Sequence, residues 1–406
     1  MLKINHTFGG ILLVSGTAIG AGMLALPVTT ALMGLIPSLI LFVFCWLCML
    51  ATAFFFLDVN LAIKGEPNII SMARRTLGPW GQALSWVVYL LLLYSLLAAY
   101  IAGSAPIFTA AIHAATGWMP PAWMGMFMLP LLFGGILYFG TQGVDLINRI
   151  LMAGLLVSFV VLIAFVPSHI ELNLLAHIDF KPLVLGLPLI VTAFGYHVII
   201  PTLSTYMNHD RKKLKKALII GSILPLIFYT IWQVLVLGVV PLDGTHGLIG
   251  AWRAGTAATG PLAYLIKNPW ISRSAQLFSI FAITTSFIGL ALSLSDFLVD
   301  GFKIKKSWEG KLFAILLTFV PPLIFVFTYR RGFVVALEYA GAFVAILLWF
   351  LPAVMAWNLK KPKFYKTAKA KALMIFIMIA AIGIVVIDIL EQLGTLHPLI
   401  AHYVQA

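Results

Sequence analysis

Charged residues are scarce in this 406-residue chain, where Asp, Glu, Lys and Arg together make up 10% of the sequence. Soluble domains carry about 25% charged residues, so the composition excludes an ordinary soluble enzyme and a disordered chain. Cysteine is nearly absent: Cys45 and Cys48 are the only two, which excludes a disulfide-stapled secreted domain. Their C-x-x-C spacing occurs in some redox and metal sites, but both lie inside an apolar run, which predicts ordinary core residues.

Hydrophobic residues are abundant instead, at 62% of the chain, and they are grouped into long runs. Because about 20 apolar residues span the bilayer core as a helix, these runs predict an all-α polytopic membrane protein. We expect 11 transmembrane helices in a single transmembrane domain over residues 1–406, at approximately 7–33, 36–62, 82–112, 122–142, 146–167, 182–206, 214–240, 271–299, 312–329, 333–357 and 372–394. A short amphipathic helix over 66–80 and surface helices between 241 and 270 are predicted outside these spans.

The basic residues predict how the chain is oriented in the membrane. With the N-terminus in the cytoplasm, 20 of the 26 Lys and Arg residues fall in inside segments and six in outside segments. Cytoplasmic loops are enriched in Lys and Arg, so we expect a cytoplasmic N-terminus and, with an odd number of spans, a periplasmic C-terminus. The net charge of +13 then reflects topology. We expect contact with the lipid bilayer, no nucleic acid and no obligate protein partner.

Two spans carry signals for a broken helix. The first contains G-T-A-I-G-A-G over 16–22 with Pro27 after it, and the sixth contains A-F-G-Y-H over 193–197 between Pro188 and Pro201. Unwound backbone at membrane depth is tolerated only where it lines a protected cavity, and interrupted spans at corresponding positions of two halves indicate a transporter binding site. Close helix packing through small residues is the alternative for the first span, and a proline kink is the alternative for the sixth.

Several stretches resemble one family of transporters. They are GTAIGAGMLALP (16–27), VDLINR (144–149), FGYHVIIPTLSTYM (194–207), TTSFIGLALSLSDFLVD (284–300) and RRGFVVALEYAGA (330–342). Together they make the chain similar to the bacterial aromatic amino acid permeases of the APC superfamily, and most similar to the tyrosine-specific branch. The resemblance implies a LeuT-type 5+5 inverted repeat with discontinuous helices 1 and 6. The repeats would cover about 7–167 and 182–357, with an extra helix at about 372–394.

The resemblance also implies a function. It indicates a secondary active transporter of the bacterial inner membrane that imports aromatic amino acids, most directly L-tyrosine, by cation (H⁺ or Na⁺) symport with alternating access. A tryptophan- or phenylalanine-preferring permease, or an amino acid exchanger of the same fold, remains open as an alternative. An enzyme is not expected, because no clustered catalytic groups occur at membrane depth and no catalytic residue is predicted.

An amino acid substrate offers a carboxylate, an ammonium and a side chain. Free amides at the start of a half-helix suit the carboxylate, and free carbonyls at the end of one suit the ammonium. The predicted substrate-binding residues are Thr17, Ala18, Gly20, Ala21 and Gly22 for the backbone groups, with the Phe194 carbonyl, and Tyr94, Tyr100, Phe194, Gly195, Tyr196 and His197 around the ring. His197 has three possible roles: a hydrogen bond to the substrate ring, proton carriage, or a structural contact.

A coupling cation in this fold would lie between spans 1 and 8. Carbonyls of Gly16 and Ile19 and hydroxyls of Thr285 and Ser286 would supply oxygen ligands for Na⁺, although the hydroxyls can also serve helix packing. Some related permeases place a Lys in span 5 at this cation position, whereas Leu155 stands near that place here. This difference favours sodium over simple proton coupling. No other metal and no cofactor are expected.

Acidic residues within spans are costly in a bilayer, so each is a functional candidate. Glu338 is predicted to be an outer gate partner for the arginines at 330–331, a proton site, or an interfacial acid. Asp296 and Asp300 lie one helical turn apart and, with Arg149, are candidates for an inner gate; a solvated helix face is the alternative.

Overall fold

A computed structural model describes residues 6–65, 67–139, 144–305, 307–329, 332–359 and 363–399. Apart from one isolated bridge between Gly34 and Ile178, the regular secondary structure of this part is helical. The α-helices are α1 His6–Ala18, α2 Gly22–Thr30, α3 Leu35–Ala62, α4 Ile69–Leu77, α5 Pro79–Thr116, α6 Ala122–Phe139, α7 Val144–Phe165, α8 Leu172–Leu175, α9 Leu187–Ala193, α10 Ile200–Tyr206, α11 Arg211–Leu237, α12 Leu248–Ala254, α13 Thr259–Leu265, α14 Pro269–Phe302, α15 Trp308–Thr328, α16 Gly332–Val344, α17 Leu351–Trp357 and α18 Ala368–Gln392.

Nine helical segments of the described chain are long and apolar enough to cross a membrane. They are Leu35–Ala62, Pro79–His113, Ile147–His169, Lys181–Tyr206, Arg211–Leu237, Pro269–Phe302, Trp308–Thr328, Gly332–Trp357 and Ala368–Gln392. The bent pair α1 and α2 adds a tenth if it is counted as one span, and the span predicted near 122–142 contains the shorter apolar helix Trp123–Ile136. The prediction of an all-α multi-pass membrane protein is therefore confirmed.

The shorter helices also lie where the sequence predicts them. The amphipathic helix is α4, which the Asn68 side chain caps by accepting a hydrogen bond from the Ser71 amide. Gly78, at φ +81°, turns the chain directly into the long helix α5. The two helices expected between 241 and 270 are α12 and α13, and α13 packs along α14.

The long helices pack around a common interior. Helix α14 lies against α7 and α5, and α16 lies against α5 and α9. In the span Gly332–Trp357, 78% of the most apolar 18-residue stretch is buried. In α18 the buried share of the corresponding stretch is 28%. Span Gly332–Trp357 is therefore central and α18 peripheral. Cys45 and Cys48 are both buried and unbridged, as the core-residue prediction requires.

An ionic network around the buried carboxylate of Asp58 joins three distant parts of the chain. Arg211 at the start of α11 donates two hydrogen bonds to Asp58 in α3, with N–O distances of 2.8 and 2.7 Å. The Tyr365 hydroxyl donates a short hydrogen bond to the same carboxylate. Burial raises the pKa of Tyr365 above its usual value, and the bond to Asp58 raises this pKa further, so the hydroxyl remains a donor at neutral pH.

Candidate functional site

Both predicted helix breaks are present. Helix α1 ends at Ala18 and α2 begins at Gly22, with an angle of 53° between the helix axes. Helix α9 ends at Ala193, residues 194–196 leave the helical path, and a 3₁₀ turn over His197–Ile199 leads into α10. The sixth predicted span is thus interrupted rather than only kinked at proline.

Two glycines of the first break have different surroundings. No neighbouring atom lies within 4 Å of the place where a Cβ of Gly16 would stand, so close packing does not require glycine there. A Cβ on Gly20 would lie 2.6 Å from the Ser286 hydroxyl oxygen, which is closer than real contacts allow. Glycine at position 20 therefore permits α14 to approach the break.

Ser286 connects the first break to two long helices. Its hydroxyl oxygen accepts a hydrogen bond from the Ala21 amide at 3.2 Å. Tyr100, in α5, is buried and interacts electrostatically with Ser286. Residues predicted independently in three spans are thus brought to one place.

Tyr229 of α11 connects the two breaks to each other. Its hydroxyl oxygen is 2.6 Å from the carbonyl oxygen of Ala18 and 2.8 Å from that of Ala193, the last residues of α1 and α9. The side chain is fully buried and its ring packs edge-on against Phe194, with 5.0 Å between ring centroids. Tyr229 was not among the predicted site residues.

A sequence signal for Tyr229 does exist. Ser222, Tyr229 and Gln233 recur at intervals of seven and four residues in an apolar helix, which places them on one face. All three are buried, and the other two also bind across helices: Ser222 accepts from the Trp46 indole, and Gln233 donates to Thr30. Polar residues at helical spacing within a membrane span indicate a helix face that contacts other helices.

Amide groups are available at the start of α2. The Met23 and Leu24 amides donate to the carbonyls of Gly20 and Ala21, and the Ala21 amide donates to Ser286. Within the described chain, the amides of Gly20 and Gly22 close no hydrogen bond to a backbone carbonyl. The first break therefore exposes two donors at a helix N-terminus.

His197 is fully buried at the second break. Its Nε2 is 2.9 Å from the Thr52 hydroxyl, which lies within bonding distance of its own helix carbonyls, Cys48 and Met49. When Thr52 donates to these carbonyls, the imidazole donates through Nε2 and its Nδ1 is an acceptor. In the part of the chain that the structure describes, that Nδ1 has no hydrogen-bond partner.

Comparison with known proteins places the chain in a family. The sequence profile of the tryptophan/tyrosine permease family matches residues 3–389. The chain belongs to this family. Tyrosine-specific transport system 2 of Haemophilus influenzae is 30% identical to the permease over 99% of this chain and 100% of its own length. Tyrosine-specific transport system 1 of the same organism is 31% identical over 88% and 89% of the two chains. Its tryptophan-specific transport protein is 29% identical over 97% of each. These relatives are transport proteins rather than enzymes, in agreement with the prediction.

Other predicted substrate contacts of the permease lie in varied surroundings. The Tyr94 hydroxyl donates to the Leu317 carbonyl of α15 at 2.8 Å, so this group is engaged in joining two helices. Thr17 is exposed, and its hydroxyl donates to the Leu13 carbonyl one turn earlier. Tyr196 is fully buried beside His197, with 5.3 Å between the two ring centroids.

The predicted cation ligands of the permease include usable oxygens. The Thr285 hydroxyl donates to the Phe281 carbonyl at 2.8 Å, which leaves its lone pairs available to a cation. Ser286 already accepts from the Ala21 amide. All four candidates offer neutral oxygens, the ligand type that hard cations bind, and their role as a cation site stays a prediction.

The acidic candidates of the permease differ in burial. Glu338 in α16 is buried, at 3% exposure, while Asp296 and Asp300 are exposed on α14. Arg149 is exposed on α7, and the arginines at 330–331 lie outside the described residues. The gate and proton roles of these residues stay predictions.

Proposed function

We propose that this permease is a secondary active transporter that imports aromatic amino acids, most directly L-tyrosine, by symport with a cation, H⁺ or Na⁺. The observation that carries the proposal is the convergence of two interrupted helices on Tyr229, with Ser286 bound to the first break. Interrupted spans placed in this way supply helix ends, and these can bind both charges of an amino acid. The names of the relatives, tyrosine- and tryptophan-specific, support an aromatic substrate.

In this proposal the first break binds the backbone groups of the substrate. The carboxylate accepts from the Gly20 and Gly22 amides, where the dipole of α2 is positive. The ammonium donates to carbonyls at the helix ends, with those of Thr17, Ala18 and Phe194 as the predicted acceptors. The Ala21 amide contributes once its bond to Ser286 is exchanged for one to the carboxylate.

Alternating access would follow from a LeuT-type arrangement of five plus five helices. Repeat one would run over about 7–167 and repeat two over about 182–357, with the peripheral α18 outside both. The break in the first span and the break in the sixth then occupy equivalent positions. In this topology the N-terminus is cytoplasmic and the C-terminus periplasmic, in the bacterial inner membrane. C-terminal fusions would test this: alkaline phosphatase should be active and green fluorescent protein dark.

For the coupling ion we favour Na⁺ in the oxygen set of Gly16, Ile19, Thr285 and Ser286. Leu155 is fully buried in α7, where a lysine ammonium would otherwise supply the positive charge. The full-length protein in proteoliposomes would be given a sodium gradient or a pH gradient separately. Sodium-driven L-tyrosine uptake supports this assignment, and uptake driven by the pH gradient alone refutes it.

The same vesicles test the function itself. Saturable, gradient-driven accumulation of L-tyrosine is expected, with competition by tryptophan and phenylalanine in proportion to their affinities. Counterflow without net accumulation would identify an exchanger instead. Absence of uptake of all three aromatic amino acids would refute the proposal.

His197 is expected to accept a hydrogen bond from the polar group on the substrate ring. A buried Nδ1 acceptor can bind the tyrosine hydroxyl or the tryptophan indole, but phenylalanine offers it nothing. In His197→Phe, competition by L-tyrosine should weaken about tenfold relative to competition by L-phenylalanine, since a buried group that loses its partner is penalised. Competition against radiolabelled substrate measures this ratio. His246→Phe, at an exposed histidine stacked on Tyr264, is the control and should leave the ratio unchanged.

Gly20→Ala should reduce L-tyrosine uptake by about tenfold or more at equal protein level. The new Cβ would force the Ser286 hydroxyl to rotate away and to lose its bond to the Ala21 amide, in the segment that is proposed to bind the carboxylate. Gly383→Ala, where no atom lies within 4 Å of the added carbon, is the matched control. Equal uptake by Gly20→Ala and the control would contradict the expected clash.

A further inference from the structure

The two helix ends at the site present more acceptors than donors. The carbonyls of Ala18 and Ala193 are the final ones of α1 and α9, and no backbone amide of the described residues closes a helical turn onto either. Both residues are buried, at 7% and 4% exposure. Helix C-termini also carry partial negative charge, which two converging ends double.

Tyr229 can donate a hydrogen bond to only one of these two carbonyls at a time. Its hydroxyl has one proton but lies 2.6 and 2.8 Å from the two carbonyl oxygens, both at full hydrogen-bond length. Whichever carbonyl receives the proton, the other faces a hydroxyl lone pair at short range. A buried acceptor without a donor is costly, so the geometry favours a ligand that brings additional N–H or O–H groups.

We infer that Tyr229 is a positioning residue for the substrate ammonium, holding the carbonyls of Ala18 and Ala193 together so that both can accept from it. This inference rests on the proposed function and adds Ala193 and Tyr229 to its ammonium subsite. It assigns the second acceptor to Ala193, one residue before the Phe194 carbonyl that the sequence predicts.

The chemistry of the three oxygens fits an ammonium better than a bare cation. The two carbonyl oxygens and the Tyr229 hydroxyl oxygen can each accept, and an ammonium carries three donors. The number of acceptors therefore matches the number of N–H groups of an ammonium. The Phe194 ring helps to keep the hydroxyl in place, because it packs edge-on against the ring of Tyr229.

The test compares two ligands that differ only in the amino group. Affinities of purified full-length protein for L-tyrosine and for 3-(4-hydroxyphenyl)propionate would be measured in wild type and in Tyr229→Phe. We expect the dissociation constant of L-tyrosine to rise about tenfold in the variant, as for a lost hydrogen bond to a charged partner. The affinity for the deaminated acid should change by less than about twofold. Tyr365→Phe, which removes a buried tyrosine hydroxyl that donates to Asp58 rather than to a carbonyl at a helix break, should change neither affinity.

An equal loss of affinity for both ligands in Tyr229→Phe would overturn the inference, because a purely structural role predicts that result. No loss for either ligand would overturn it too. If the variant does not fold, the affinity of the wild-type protein for N,N,N-trimethyl-L-tyrosine is measured instead. This ligand keeps the positive charge but lacks N–H donors, so it should bind at least about tenfold more weakly than L-tyrosine. Equal binding would refute the subsite. Failure of the proposed function looks different, since wild type would then bind no aromatic amino acid.

Discussion

Arg211→Met is expected to lower the free energy of unfolding by about 3 kcal/mol, and Asp58→Asn by only about 1 kcal/mol. The side chain of Asp58 is 6% exposed and that of Arg211 is 48% exposed. Removing the guanidinium leaves a buried carboxylate without its counter-charge. Removing the carboxylate charge leaves a guanidinium that water can still reach. Unfolding of the purified protein in detergent, by heat or denaturant, measures both changes.

The double variant tests whether the unpaired Asp58 carboxylate causes the larger loss of stability in Arg211→Met. Asp58→Asn in the Arg211→Met background removes the stranded charge and should restore part of the lost stability, giving a strongly non-additive cycle. Lys213→Met is the control, because its ion pair with Asp210 is solvent-exposed and should contribute less than about 1 kcal/mol. Additive losses, or a larger loss in Asp58→Asn than in Arg211→Met, would contradict the burial argument.

Gly341→Ala should be the most damaging glycine substitution in the central span. A Cβ at this position would come under 3.0 Å from the backbone of Pro188, which cannot rotate away as a side chain would. Overpacking against backbone is expected to cost about 3 kcal/mol or to prevent folding. Because Pro188 belongs to α9, the displacement would also move the Ala193 end that faces Tyr229.

Thermal unfolding and ligand binding would be compared between Gly341→Ala and Gly383→Ala. The control adds the same carbon to peripheral α18 in open space, and replacing a helical glycine there should be neutral or stabilising by up to about 1 kcal/mol. The central variant should lose both stability and L-tyrosine affinity. Equal melting temperatures in the two variants would show that α16 and α9 are not in the close contact described.

The positions of both helix breaks could be predicted because their cause is local. Glycines over 16–22 and the proline-flanked segment 193–197 weaken helical hydrogen bonding wherever they occur in a span. The alternative of glycine packing at Gly16 could not be rejected from sequence, because it depends on which atoms lie nearby. The structure rejects it, and it places the packing requirement at Gly20 instead.

The partners within the site could not be predicted in the same way. Tyr229 meets Ala18 across 211 residues, Ser286 meets Ala21 across 265, and His197 meets Thr52 across 145. Periodicity places a residue on a helix face but does not specify which helix that face contacts. Tyr94, whose contact with the substrate ring stays a prediction, illustrates the limit, since its hydroxyl bond to α15 could not be predicted from the sequence.

The sequence by itself determined the all-helical multi-pass character, the placement of the spans and the two interruptions, because hydropathy and glycine or proline content act over one helix at a time. Tertiary structure alone decided that two helix ends share the Tyr229 hydroxyl and that Arg211 and Tyr365 meet at Asp58. Those contacts depend on how the helices pack together, and helix packing is set by side-chain shape over the whole bundle.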